Sequence, residues 1–122
     1  MIKSIDYVKD GVEITFTGVI TSKELFDANT QILERLKSSP YKYQLVLFQQ
    51  VDDFKISVQE LQEAAMRDIE ASKMHPGIKV AVVSDSPLVF GLGRMYEVFA
   101  EEGHWETMIF YNIEEAQKWI NS

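Results

Sequence analysis

The sequence predicts an α/β domain built on a mixed, mostly parallel five-stranded sheet, with its helices mainly on one face. Apolar segments typical of strands alternate along the chain with capped, amphipathic segments typical of helices. Strands that are separated by helices pair in parallel through right-handed crossovers. A hairpin at the N-terminus adds one antiparallel strand. The predicted order is therefore β-β-α-β-α-β-α-β-α.

The N-terminal hairpin is indicated by the dipeptide Asp10-Gly11, which favours a tight turn between two β-rich segments. In the second segment apolar and polar residues alternate from Val12 to Thr17, so we expect a strand with one buried face. We expect Gly18 to end this strand.

Four segments carry helix signals. Thr21 and Ser57 each begin a capping box, Ser86 precedes a proline suited to the first helical position, and Asn112 caps the last segment. Apolar residues at helical spacing predict the inward faces. These residues are Leu25, Ala28, Ile32 and Leu36, then Val58, Leu61, Ala65 and Ile69, then Leu88, Leu92, Met95 and Phe99, and finally Ile113, Ala116 and Ile120. On the outside of the second helix, Glu63 and Arg67 have the spacing of an ion pair.

Two short segments, residues 45–48 and 80–83, are apolar at every position. This pattern is typical of strands in the middle of a parallel sheet, because they are buried on both faces. If most helices lie on one face, alternate residues of these strands face outward, and exposed apolar patches usually mark contact surfaces. The set that we expect there is Val46, Phe48, Ala81 and Val83, or their alternates. We therefore expect a homodimer or an interaction face on the sheet.

The composition fits one domain that spans residues 1–122. The chain contains no cysteine, which excludes disulfides, thiolate metal sites and cysteine nucleophiles. Its net charge of −7 disfavours nucleic acid and anionic lipid as partners. No stretch approaches the roughly 20 apolar residues of a membrane span, and the N-terminus lacks a signal-peptide pattern. We expect a cytoplasmic protein with no membrane insertion.

The loop that follows residues 80–83 is the candidate ligand site, with Asp85, Ser86, Gly91, Gly93 and Arg94 as its residues. Ligands of open α/β sheets bind outside the carboxyl ends of the strands, where helix N-termini attract anions. Each residue also has a structural explanation. Ser86 fits a helix cap, Arg94 can pair with Asp85, and two glycines inside a helix favour close packing on the sheet.

No arrangement of residues indicates an enzyme. His75 fits a helix-ending turn, and His104 lies among glutamates without the second histidine or the Cys-x-x-Cys of a metal site. A Ser-His-Asp triad has no nucleophile elbow to hold its serine. We therefore expect no catalytic residue, no metal and no cofactor. An unrecognised hydrolase or isomerase is a third hypothesis, and it requires a concave site with perturbed pKa values.

Two stretches resemble a known family. Residues 79–97 (KVAVVSDSPLVFGLGRMYE) and 110–119 (FYNIEEAQKW) are similar to motifs of small bacterial proteins described as SpoIIAA-like or STAS-related, whose function is unsettled. The element order also resembles this fold, which is shared in part with the larger CRAL/TRIO lipid-exchange domains. The resemblance implies a regulatory or protein-interaction module without enzymatic activity.

The resemblance also draws attention to Ser57. Members of the wider STAS group are switched by phosphorylation of a serine at the start of the helix after the central strand, and Ser57 has the comparable position. Its surroundings, Phe54-Lys-Ile-Ser-Val58, lack the glycine and the paired serines of the family motif. An N-cap role explains this serine by itself, although a phosphate would also be favoured at that helix end.

Together these observations predict a non-enzymatic regulatory or protein-interaction module of STAS-like type. Its partner would be another protein or a second copy of the chain. The alternative is a carrier or sensor of a small anionic or amphipathic ligand, with a pocket at the loop from Asp85 to Arg94.

Overall fold

The computed structural model describes all residues of the chain, 1–122. It contains β1 (Ile2–Val8), β2 (Gly11–Thr21), α1 (Ser22–Ser38), β3 (Tyr43–Lys55), α2 (Val58–Met74), β4 (Lys79–Ser84), α3 (Pro87–Phe99), β5 (Glu106–Phe110) and α4 (Ile113–Ile120). The strands form one sheet in the order β1-β2-β3-β4-β5, with β1 antiparallel to β2 and the other pairs parallel. The predicted α/β class, element order and mixed sheet are confirmed. None of the helices is both long enough and apolar enough to cross a bilayer.

The N-terminal hairpin turns one residue earlier than the sequence suggests. Val8 pairs with Gly11, so the turn consists of the two residues between them, Lys9 and Asp10. Asp10 has a φ of 67°, a left-handed conformation that aspartate tolerates better than most residues. Gly11 instead begins β2, where a Cβ atom would strike the ring of Tyr43. The glycine is needed for this contact and not for the turn.

The expectation that Gly18 ends the second strand is wrong. β2 continues to Thr21, and Gly18, with a φ of 67°, shifts the register between β2 and β3. β3 is long for the same reason, because its last residues pair with the far end of β2, whereas β4 reaches only as far as Phe48. Irregularities of this kind bend and twist a strand pair. The ends of β2 and β3 thus extend beyond the rest of the sheet as a two-stranded ribbon.

The two faces of the sheet are covered unequally. Ile14, Val46, Val82 and Ile109 lie in register on one face, which packs against α1, α2 and α3. The opposite face packs against α4 alone. The residues of that second contact are Leu45, Leu47, Ala81 and Val83 from the sheet and Ile113, Ala116, Trp119 and Ile120 from the helix. The prediction that the helices lie mainly on one face is correct.

The expected exposed patch on the sheet is wrong. Phe48, Ala81 and Val83 are buried, and Val46 is partly buried. α4 covers Ala81 and Val83, because it returns to the face that the other helices leave open, whereas Val46 and Phe48 lie on the face that packs against α1, α2 and α3. The carbonyl of Trp119, near the end of α4, accepts a hydrogen bond of 2.9 Å from Lys79 Nζ and so ties this helix to the start of β4.

α3 turns a different face to the sheet from the one that its apolar periodicity predicts. Leu88, expected inside, is 55% exposed, and Val89 is the one buried residue of the helix. Gly93 faces β5, where an added Cβ atom would strike Cδ1 of Ile109. The helix therefore approaches the sheet closely at Gly93. Leu88 and Val98 remain exposed on the outer side.

The two glycines of α3 allow a matched test of this packing. A Cβ atom at Gly91 meets no other atom within 4 Å, so Gly91→Ala should raise the free energy of unfolding by about 0.5–1 kcal/mol. In Gly93→Ala the gain in helix propensity is offset, because the new methyl group forces the side chain of Ile109 into another conformation. We expect the free energy of unfolding of Gly93→Ala to be about 1 kcal/mol lower than that of Gly91→Ala. Urea unfolding followed by circular dichroism measures both. Equal stabilisation by the two substitutions would contradict the close packing.

Candidate functional site

A cavity of about 110 Å³ lies between the sheet and the helices α1, α2 and α3. Most of its lining is apolar, and residues such as Leu25, Phe54 and Leu92 at its edge are partly exposed. Protein interiors normally contain few voids larger than a water molecule, so a cavity of this size is unusual in a domain this small. Concave apolar spaces with a few convergent polar groups are the usual form of a small-molecule site.

Four polar side chains converge on the cavity from four different elements. They are Asn29 of α1, Gln44 of β3, Asp68 of α2 and Tyr96 of α3. Asp68 joins three of these elements, since it accepts a hydrogen bond of 3.0 Å from Asn29 Nδ2 and another from the hydroxyl of Tyr96. Gln44 donates to the hydroxyl of Tyr41 at 3.0 Å. The cavity thus has a polar end and apolar walls.

One polar atom at this end has no partner. Oδ1 of Asn29 is buried and accepts no hydrogen bond from the protein. When Asp68 is ionised, the orientation of the amide follows from it, because the reversed amide would turn two oxygen atoms toward each other. Buried acceptors are nearly always paired, and an unpaired one costs about 1–3 kcal/mol. The structure therefore holds an unused hydrogen-bond acceptor on a residue that lines the cavity, and less than 1 Å² of this oxygen is accessible.

Asp68 lies in a strongly apolar environment. Burial raises the pKa of its carboxyl group from 3.8 to about 7, although the hydrogen bond from Asn29 and the charge of Arg67 act in the opposite direction. Burial likewise raises the pKa of the nearby Tyr41 hydroxyl, with a further contribution from the charge of Asp68. The environment therefore disfavours negative charge at the polar end.

Arg67 lies outside the cavity and does not form the predicted ion pair with Glu63. Its guanidinium group packs 4.6 Å from the centre of the Phe26 ring and donates a hydrogen bond of 3.1 Å to Thr30 Oγ1. Both contacts are to α1, so this arginine links the outer surfaces of the two helices. Its charge is directed to the surface and not into the cavity.

Of the five residues that the sequence nominates for a ligand site, Gly93 lines this cavity. Asp85 is exposed, and Gly91 faces open space on the outer side of α3. Ser86 is the N-cap of α3, and its Oγ accepts a hydrogen bond of 3.4 Å from the amide of Val89. The structure therefore does not gather these residues around one point.

Arg94 does not pair with Asp85. Its guanidinium group lies 3.9 Å from the carboxylate of Glu97, one turn further along α3, and 5.3 Å from the centre of the Phe90 ring. Glu97 also accepts a hydrogen bond of 2.9 Å from the amide of Ile109. Because Arg94 is 65% exposed, its ion pair contributes little to stability.

Ser57 caps α2 as the sequence predicts. Its Oγ accepts a hydrogen bond of 3.1 Å from the amide of Glu60, whose carboxylate accepts one of 2.9 Å from the amide of Ser57. This reciprocal pair is a complete capping box. The cap accounts for a serine at this exposed position.

Both histidines form hydrogen bonds through their backbone atoms. The carbonyl of His75 accepts a hydrogen bond of 2.6 Å from Trp105 Nε1, and the amide of His104 donates one of 2.9 Å to Ser72 Oγ. No three side chains of the histidine, aspartate and glutamate types lie close enough together to hold a metal ion.

The outer face of α3 is a second distinctive surface. We use this name for the apolar residues on the side of the helix away from the cavity, which are Leu88, Gly91, Met95, Val98 and Phe99. Leu88 and Val98 are 55% and 65% exposed, and Met95 is partly exposed. A run of exposed apolar residues along one helix is typical of a contact surface.

The sequence analysis missed the polar end of the cavity. Asn29 directly follows Ala28 of the inward stripe of α1, and Asp68 comes one helical turn after the buried Ala64. Gln44 precedes Val46 by two residues and so lies on the same face of β3. The signal that could have revealed them is a polar residue at a position where the apolar periodicity expects a core residue.

The raised pKa of Asp68 predicts how stability depends on pH. In the folded chain the carboxyl group of Asp68 stays protonated up to a pH of about 7, whereas in the unfolded chain it loses its proton near pH 3.8. The free energy of unfolding therefore falls as the pH rises from about 3.8 to about 7. We expect Asp68→Asn, which preserves the shape, to abolish a slope on the order of 1 kcal/mol per pH unit. Urea titrations at several pH values measure the difference between the two proteins. Parallel curves would contradict the burial of an ionisable Asp68.

No family model and no curated protein matches this sequence. Solved structures do match it. The anti-sigma factor antagonist SpoIIAA in its unphosphorylated form superposes with a TM-score of 0.64 and 12% identity, over 98% of this chain and 97% of that chain. An uncharacterized protein of the DUF3478 family from Shewanella loihica PV-4, with a SpoIIAA-like fold, gives a TM-score of 0.56 and 18% identity, over 98% and 92% of the two chains. The fold implied by the sequence resemblance is thus confirmed, and the chain has a SpoIIAA-like fold.

Proposed function

We propose that this chain is a non-enzymatic regulatory module that acts by binding protein, and that the outer face of α3 is its docking surface. The orientation of α3 carries the proposal. The helix places Gly93 against the sheet and leaves Leu88 and Val98 more than half exposed. Burying an exposed leucine or valine side chain contributes about 1.5–3 kcal/mol, which a partner would gain on docking.

A second copy of the chain is the partner that this face fits best. If two α3 helices pack antiparallel around the middle of the helix, Leu88 of one copy lies against Val98 of the other. Gly91 then lies opposite Met95, so that the gap at the glycine receives the long side chain. The space beside Gly91 supports this arrangement, since no atom lies within 4 Å of its Cβ position. Small residues opposite large ones allow helices to approach closely.

The fold supports a regulatory role without enzymatic activity. SpoIIAA, which shares this fold, is an anti-sigma factor antagonist. The polar groups of the present chain support the non-enzymatic part of the proposal. Its buried carboxyl group at Asp68 is engaged by Asn29 and Tyr96, and its histidines contribute backbone hydrogen bonds.

Sedimentation equilibrium at several protein concentrations tests the proposal. We expect the wild-type chain to be a dimer, and Val98→Glu to be monomeric because it places a charge against Leu88 of the other copy. Met66→Glu is the matched control, since Met66 is 64% exposed on α2, away from this face, and its variant should remain a dimer.

At a protein concentration low enough for both variants to be monomeric, urea unfolding should give similar stabilities for Val98→Glu and Met66→Glu, because both positions are exposed. A wild-type chain that sediments as a monomer at high concentration would overturn the self-association. Equal dimer affinities in the two variants would show that the outer face of α3 is not the contact.

A further inference from the structure

The cavity behind α3 has the size of a small molecule. Its volume of about 110 Å³ compares with the cavity of about 150 Å³, lined by leucine, isoleucine and phenylalanine, that binds benzene in an engineered protein. A molecule with an apolar part of roughly one aromatic ring is therefore of the size that this space suggests. Phe16, Phe48 and Val82 are among the residues that such a ring would contact.

The charge of the lining restricts the ligand further. No lysine or arginine lines the cavity, and its ionisable groups are Asp68 and Tyr96. Arg67, whose charge lowers the pKa of Asp68, is held at the surface by contacts with Phe26 and Thr30. A carboxylate or phosphate would be buried beside a carboxyl group without a countercharge, which is strongly unfavourable. The sequence analysis predicts an anionic or amphipathic ligand. The lining of this cavity disfavours an anionic ligand and is compatible with an uncharged amphipathic one.

The polar end specifies the direction of the hydrogen bond. Both carboxyl oxygens of Asp68 already accept hydrogen bonds, from Asn29 and from Tyr96. The atom left over is Oδ1 of Asn29, which can only accept. A ligand therefore completes the network if it donates a hydrogen bond, as a hydroxyl group does.

We infer that the cavity between the sheet and the helices α1, α2 and α3 is a binding site for a small, uncharged amphipathic molecule. Its apolar part is about the size of one ring, and its hydroxyl group donates to Oδ1 of Asn29 once that side chain rotates to bring the oxygen to the cavity surface. This site lies on the inner side of α3 and is independent of the proposed docking surface on the outer side.

Three probes of similar size test this inference. Phenol carries a hydroxyl group, toluene carries a methyl group in its place, and benzoate carries a charge. Each is titrated into isotope-labelled protein above the pKa of Asp68, and the amide chemical shifts are followed by NMR. We expect saturable binding of phenol, with the largest shifts among the residues that line the cavity, and no saturable binding of benzoate.

The ratio of phenol to toluene affinity reports the hydrogen bond. A purely apolar cavity prefers toluene, because phenol must give up the hydration of its hydroxyl group. We expect phenol to bind the wild-type chain at least as tightly as toluene. In Asn29→Leu the ratio should move about five- to tenfold toward toluene, which is the factor that one hydrogen bond supplies. Because the ratio is measured within each variant, a general loss of stability does not change it.

A second variant tests the location. Ala64 lines the cavity from α2, and Ala64→Leu adds an isopropyl group to that wall, so it should remove the binding of both phenol and toluene. Gly91→Ala is the control, because Gly91 lies on the other side of α3 and its variant should bind phenol like the wild type. Val98→Glu should also bind phenol unchanged, which separates this test from that of the docking surface.

Several outcomes would overturn the inference. Absence of saturable phenol binding would remove the site, and phenol binding that survives in Ala64→Leu would place it elsewhere. A wild-type preference for toluene that Asn29→Leu leaves unchanged would refute the hydrogen bond. Binding of benzoate as tight as that of phenol would refute the assignment of an uncharged ligand.

Discussion

The close approach of α3 to the sheet at Gly93 is the constraint on which the other features depend. Without a side chain at this position the helix lies directly on Ile109 of β5. This contact fixes the rotation of the helix about its axis, because the residue without a side chain must face Ile109. Tyr96, one turn later, then points inward to Asp68, while Leu88 and Val98 are left outside. One missing Cβ atom thus determines both the inner and the outer surface of α3.

The buried Asp68 shows how the three helices on this face are held together. A carboxyl group in an apolar core is destabilising unless its oxygens are engaged. Asn29 of α1 and Tyr96 of α3 engage both of them, so Asp68 of α2 connects its two neighbouring helices through one side chain. The raised pKa of this group indicates that the compensation is incomplete. A polar junction of this kind specifies the arrangement of the helices more than it stabilises the fold.

The two proposed surfaces share α3 but have opposite chemistry. The outer face is open and apolar, which suits the helix of another subunit, whereas the inner side adjoins a cavity with one polar end. Tyr96 and Val98 are two residues apart in the sequence and lie on these two sides.

The sequence by itself determined the order of the elements, their caps and the parallel strands, because these depend on residues close together in the chain. Ser57 forms its capping box with Glu60 three residues later, and no distant contact is needed. Tertiary structure decided which side of α3 faces the sheet, where α4 packs, and that Asn29 and Asp68 meet in the core. Apolar periodicity identifies the most hydrophobic side of a helix. How closely the helix can approach a sheet depends on side-chain size, and in α3 the glycine at position 93 faces Ile109 instead of a larger apolar residue.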